Sequence, residues 1–367
     1  MNYLKIRNLS HPQKGFYGIG ASATEYNDQY PQYLRITDID DNCNVSTILP
    51  TCVDINVYPK WNQYLLKVND IVFARTGNST GRNYFCKKIK KDTVFSGFLV
   101  KFSINPELII PNYVGYYCQS PSYWKQIRAM FTGSTRANIN AKQYADLLIP
   151  IVDRTNQHHI VNTIGSVDNL IENLTKQNEI LMTLGISKIN QFNNSYEKKS
   201  LNKIVKFEKG FEVGSSKYIE IYKKGLINYL RVGDLLSLGN TYIDEKDSDK
   251  IAKFEDILVA FDGSPGRNSI GLVGAYSSGI YNLKSTNNDK GLVYFEMNSD
   301  INKKIIDNHS QGTTILHASK SINYLVYVDV DDNDKKVLNN YFYLILQNKK
   351  KINFLNKIKD NLLDKYF

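Results

Sequence analysis

The run Asn69-Asp70-Ile71-Val72-Phe73-Ala74-Arg75-Thr76-Gly77-Asn78-Ser79-Thr80-Gly81-Arg82 has a second version in the same chain, Glu255-Asp256-Ile257-Leu258-Val259-Ala260-Phe261-Asp262-Gly263-Ser264-Pro265-Gly266-Arg267, with one residue missing from the turn. Each copy is a short apolar run followed by glycines and hydroxyl residues, the pattern of a strand that enters a surface turn. Upstream stand Tyr33-Leu34-Arg35-Ile36 and Tyr229-Leu230-Arg231-Val232. Downstream, Gly133-Ser134-Thr135-Arg136-Ala137-Asn138-Ile139-Asn140 leads to Leu147-Leu148-Ile149-Pro150, and Gly312-Thr313-Thr314 leads to Tyr324-Leu325-Val326-Tyr327-Val328. The same elements recur in the same order at a period of about 180 residues, which is best explained by duplication.

Each half closes in a segment of different period. Ile160, Ile164, Val167, Ile171, Leu174 and Leu181 are spaced alternately by three and four, a coiled-coil seam with Asn178 at a core position, where a buried amide costs stability but fixes alignment. Val337, Tyr341, Leu344, Ile352, Leu355 and Leu362 form a less regular second copy. The competing reading packs each helix on its own domain. Elsewhere, Val and Ile runs bounded by Gly, Asn and Pro predict short strands, one helix is predicted over 111–130, and the polar stretch 190–201 is the clearest boundary. The expected fold class is α+β, with two tandem pseudo-repeated domains and two long helices. The segments are 1–152, 153–196, 197–329 and 330–367, the second and fourth helical.

The 367 residues suit two domains of ordinary size. The 46 Lys and Arg against 36 Asp and Glu leave a net charge of +10, a field that attracts a polyanion. Cys43, Cys52, Cys86 and Cys118 are scattered, with no CxxC pair and no histidine at zinc spacing, so they read as reduced structural thiols. With no apolar signal core and no membrane-spanning run, the expected compartment is the cytoplasm.

At this point the pattern resembles the specificity subunits of type I restriction-modification enzymes. The run Thr132-Gly133-Ser134-Thr135-Arg136-Ala137-Asn138-Ile139-Asn140 leading to Leu148-Ile149-Pro150 looks like the end of a target-recognition domain of that family. Gln157, His159 and Ile160 sit where its spacer helix begins, and Gly15-Phe16-Tyr17-Gly18 with Tyr33-Leu34-Arg35-Ile36-Thr37-Asp38-Ile39 matches one recognition-domain subtype. The second copy departs from it, with Ile315-Leu316-His317 in place of a polar run. The resemblance spans essentially the whole chain. It implies two target-recognition domains separated by two long helices forming an antiparallel coiled coil, and a bipartite site on double-stranded DNA. It also implies as partners two DNA methyltransferase (modification) subunits and, in the full complex, two restriction/translocase subunits. Those partners would bind S-adenosylmethionine, ATP and Mg, leaving no cofactor and no metal for this chain.

Reading duplex sequence takes cations and hydroxyls for phosphates and planar amide or guanidinium groups for base edges. In the first half Arg75, Asn78, Ser79, Thr80, Arg82 and Asn83 supply them at the glycine turn, where an ordinary hairpin tip is the bland alternative. Ser134, Thr135, Arg136, Asn138 and Asn140 form a second polar run, with Arg136 able to fork a guanine edge and Ser134 and Thr135 equally able to cap a helix. The matching candidates in the second half are Ser264, Arg267, Asn268, Thr313, Thr314, His317 and Lys320. Lys87, Lys88, Lys90 and Lys91 add phosphate attraction or merely a solvated face. No catalytic constellation accompanies them. The Asn- or Asp-Pro-Pro-aromatic motif and the cofactor glycines of an adenine methyltransferase are missing, Gly77 to Arg82 lacks the Gly-Lys-Ser/Thr end of a phosphate loop, and His158-His159 cannot share a metal on a helix. The expected protein is therefore not an enzyme. The readings set against it are a single-chain DNA-modifying enzyme fragment and a coiled-coil scaffold carrying two carbohydrate- or protein-binding domains.

Overall fold

A computed structural model of the chain describes residues 2–130, 138–236, 238–312 and 316–367. The chain divides into two compact units, Met1–Asn169 with Asn356–Phe367, and Leu170–Leu355.

In the first unit the strand Asp70–Ala74, buried at every position, is central to an antiparallel sheet with Phe16–Tyr17, Leu99–Ser103 and Asn83–Phe85. A second sheet joins Gln32–Leu34 and Thr93–Phe95 in parallel. Alternation along Asp70–Ala74 feeds both sides of the sheet. Ile71 and Phe73 enter the larger core, while Val72 and Ala74 join Leu34, Ile39 and Phe95. Helices α1 (Pro111–Tyr117), α2 (Pro121–Ala129) and α3 (Ala141–Ala145) pack against the larger core.

The second unit repeats this plan. Leu258–Ala260 lies between Ile280–Lys284 and Asn268–Ser269, with Lys206–Lys209 beyond, and Leu226–Leu230 pairs in parallel with Gly274–Tyr276. Helices α5 (Lys290–Met297) and α6 (Asp300–Asn308) replace α1 and α2.

Two long helices complete the units: α4 (Arg154–Phe192), which belongs to the first unit as far as Asn169, and α7 (Asp332–Tyr366), which returns to it at Asn356. Within the first unit His159 Nε2 lies 3.2 Å from the Tyr366 hydroxyl, and Asp168 pairs with Lys359 at 2.9 Å. Within the second, Asn348 donates to Asn178 at 3.0 Å, and Lys188 meets Asp334 at 2.8 Å. In each unit the paired segments run antiparallel, as the family resemblance implies, and Asn178 finds an amide partner.

Three expectations need correction. The helix predicted over 111–130 is two helices. Ser120 is extended (ψ 158°) ahead of Pro121, whose ring disfavours helical backbone before it, and the Ser120 side chain accepts from the Tyr123 N–H to start α2. The stretch 190–201 is not a free linker, since α4 runs to Phe192 and Lys198–Ser200 pairs antiparallel with Val326–Val328. In α7 the buried stripe is Leu338, Phe342, Ile345 and Leu346, while Leu344 is 45% exposed. This helix packs on its own domain core as well as on α4, which widens its apolar face beyond a heptad seam.

Candidate nucleic-acid interface

The glycine turns are built alike. Gly77 and Gly81 have φ of 72° and 93°, Gly263 and Gly266 of 74° and 82°, left-handed values that other residues resist. Ala74 N–H donates to the Arg82 carbonyl and Gly81 N–H to the Ala74 carbonyl, and Ala260, Arg267 and Gly266 repeat both bonds. Each turn is then clamped by the polar segment predicted separately. Thr76 bridges Asn138 while Ile139 N–H donates to the Arg75 carbonyl. Asp262 bridges His317 while Ala318 N–H donates to the Phe261 carbonyl. Two motifs some 60 residues apart in sequence thus become neighbours in each unit.

The arginines and asparagines that end the turns face inward. Arg82 donates to the Ile39 carbonyl at 3.3 Å and pairs with Asp41, and Arg267 donates to the Val232 carbonyl at 3.3 Å. Asn83 is fully buried and donates to the Cys118 carbonyl at 2.7 Å. Asn268 donates to the Asn298 side chain at 3.1 Å. Thr80 is buried, its hydroxyl donating to the Gly77 carbonyl at 2.7 Å. Asn83 and Thr80 are therefore corrected from contact residues to braces, because a group without exposed surface cannot meet a ligand. Asn140 is likewise spent, exchanging hydrogen bonds with Gln143 to cap α3.

What remains outward is a smaller set. Asn78, Asn138, His317 and Lys320 are exposed, and Ser79 and Ser264 are half-buried. Arg75 is held differently. Its guanidinium lies over the Tyr17 ring, 4.9 Å from the centroid, and its buried Nε has no hydrogen-bond partner. Tyr17 in turn accepts from the Ala141 N–H at 3.0 Å. An arginine stacked on an aromatic face keeps a defined fork for a planar acceptor pair. Ser134, Thr135, Arg136, Thr313 and Thr314 lie outside the described residues.

Residues 19–182 match a family model described as the type I restriction modification DNA specificity domain. Over that stretch, somewhat under half of the 367 residues, the chain is similar to the specificity domain of type I restriction-modification systems. A type I restriction-modification system S subunit from M. genitalium superposes with a TM-score of 0.50 at 18% identity, covering 100% of this chain and 96% of that one, a likeness of fold. The HsdS subunit from Thermoanaerobacter tengcongensis, at 12% identity, gives 0.35 over 100% of this chain and 96% of that one. Comparison with curated proteins found no match.

The lysine cluster is less available to a nucleic acid than its sequence suggests. Lys87 pairs with Asp168 at 2.6 Å and Lys91 with Asp28 at 3.2 Å. Burial pushes Asp168 up, but Lys359 and Lys87 more than offset it and hold the carboxyl below its ordinary value. Sequence reasoning missed Tyr17 as the seat of Arg75 and Asp262 as the partner of His317. Their separations, 58 and 55 residues, leave no local signal. Among the described residues no cluster of His, Cys, Asp or Glu has metal-site geometry, and no helix is long and apolar enough to cross a membrane.

Proposed function

We propose that this chain is a DNA specificity subunit of a type I restriction-modification system and binds double-stranded DNA as two half-sites, one per unit, through the glycine turn and its clamping segment. Arg75, Asn78, Ser79 and Asn138 would serve the first half-site; Ser264, His317 and Lys320 the second. The observation that supports this is the duplicated turn: in both units outward polar groups sit on the same left-handed glycine frame or on the segment that follows from its clamp, while the groups behind it are locked into the fold. The net charge of +10 adds the unspecific attraction such binding needs. Ser134, Thr135, Arg136, Thr313 and Thr314 remain part of the proposal on sequence grounds, as do Arg82, Arg267 and Asn268 as braces of the turn.

The proposal includes two methyltransferase subunits and, in the full complex, two restriction/translocase subunits, with S-adenosylmethionine, ATP and Mg bound by those partners. Free thiols at all four cysteines suit a reducing compartment, and the proposed site of action is the cytoplasm. The test is a duplex-binding titration of the full chain assembled with the methyltransferase of its own system, across salt concentrations. Asn78→Ala and Ser264→Ala are expected to weaken binding severalfold, each on its own half-site. Unchanged affinity and unchanged salt slope for both would remove the turns from the interface.

A further inference from the structure

The two repeats, aligned on their backbone hydrogen bonds, do not carry the same chemistry at the turn. Arg75 and Phe261 are equivalent, since their carbonyls accept from Ile139 and Ala318 and their N–H groups donate to the Phe98 and Gly279 carbonyls. Phe261 is fully buried against Phe207 and Tyr281, so the second unit has no arginine at this place. One residue on, the bridges make Thr76 equivalent to Asp262 and Asn138 equivalent to His317. A neutral hydroxyl and amide in one unit stand where a carboxylate and an imidazole stand in the other. The imidazole is fixed: His317 Nδ1 lies 2.8 Å from Asp262 Oδ1, with side-chain exposures of 61% and 22%. Asp262 also lines an open recess of about 480 Å³ with Arg231, Glu212 and Gly279, so the carboxylate that holds the imidazole faces a concave surface.

We propose that His317, positioned by Asp262, contacts a base edge of the second half-site through Nε2, and that the position shared by Asn138 and His317 is specificity-determining in each recognition domain. This rests on the proposed role of the turns. A carboxylate accepts only, so Nδ1 is the donor in the His317–Asp262 bond and Nε2 is the nitrogen left outward. It offers a lone pair or an N–H, never both at once. A carboxamide such as that of Asn138 offers both together and can bind adenine at N6 and N7. The two domains therefore present different hydrogen-bond patterns on one frame, which is how duplicated domains come to read unlike half-sites. The carboxylate orients the ring at no cost when DNA arrives, and losing it frees the ring to rotate.

The test uses the full chain assembled with its methyltransferase, and a randomised duplex library whose bound members are sequenced. His317→Asn is expected to change the preferred base pair at one position of the second half-site by roughly tenfold and to leave the first half-site as it was. Asp262→Ala is expected to flatten preference at that same position, and Asp262→Asn, whose amide oxygen still accepts from Nδ1, to keep most of it. A merely structural role for Asp262 would lower binding at every position alike and would not be rescued in this way. His317→Gln, with thermal midpoints for all variants, separates misfolding from altered reading. Unaltered preference with His317→Asn and Asp262→Ala, while Asn78→Ala and Ser264→Ala weaken binding, would overturn this inference alone. If none of these variants changes binding, the proposed function falls with it.

Discussion

Arg75 is the guanidinium of the first turn whose planar face is stacked and whose positive charge has no carboxylate opposite it among the described residues. If it forks a guanine edge, Arg75→Ala should weaken binding of the assembled complex by about 1–3 kcal/mol and relax one position of the first half-site, with the salt slope unchanged. If it meets phosphate instead, the slope should fall by about one. Fluorescence anisotropy over a salt series reads both quantities. Tyr17→Leu should cost less than Arg75→Ala, since the fork survives and only its seat is lost. Glu296 makes a different kind of prediction. It replaces no surface group: the carboxyl is fully buried, accepts from the Val328 N–H at 2.8 Å, and is pushed up to about 7 by burial. Below its unfolded value near 4.5 the group is protonated in both states. As pH rises towards 7 the unfolded chain releases the proton and the folded chain keeps it, so stability falls, by about 3 kcal/mol once the folded group is also ionised. Glu296→Gln keeps the acceptor for Val328. It should lose this component, so that its thermal midpoint drops less than the parent's between pH 4.5 and pH 8; equal drops would show that Glu296 is not the source.

At the scale of elements, the helix pair holds an amide contact at its seam. Asn348 is buried and Asn178 half-buried, and their side chains meet at 3.0 Å. Asn178→Leu alone leaves the Asn348 amide only its longer bond to Gln177 Oε1 at 3.4 Å and should cost about 1–2 kcal/mol. Asn178→Leu with Asn348→Leu removes both polar groups and should recover that loss or exceed the parent, at the expense of a fixed register. Urea denaturation of the two variants against the parent measures the cycle, and a double variant less stable than either single would contradict it. The pairing of helices was legible in the three-four spacing from Ile160 to Leu181 and in the position of Asn178. The stripe of α7 was not, because Leu338, Phe342, Ile345 and Leu346 answer to a domain core as well as to a helix. Periodicity records which residues are buried and leaves open what buries them.

For the whole molecule, the repeat makes a test of architecture possible. In the first unit, Phe367 packs edge-on against Tyr113 and Tyr117, and its carbonyl accepts from the Ser122 hydroxyl at 2.6 Å. A chain of residues 1–195 lacks this cover and exposes Ile160 and Ile164, which are buried in the intact protein. A second copy can supply an equivalent helix, so the half-chain should form a two-fold dimer. With the methyltransferase it should recognise an inverted repeat of the first half-site. Sedimentation at high concentration checks the first claim, and a folded monomer would undermine the mutual spacer. The sequence by itself determined that the protein is a duplication, that each copy ends in a long helix, and that a glycine turn carrying polar residues follows a buried strand. These are local matters: composition, spacing and backbone freedom are properties of neighbouring residues. Only the tertiary structure decided which of the turn's polar groups are available. Arg82 and Asn83 carry the same donors as Arg75 and Asn78, yet partners such as Ile39, Asp41 and Cys118 consume them, and those partners lie 35 to 43 residues away. A hydrogen-bonding group meets whatever the fold puts within 3 Å of it, and across such separations that depends on how strands and helices pack, which no run of residues states.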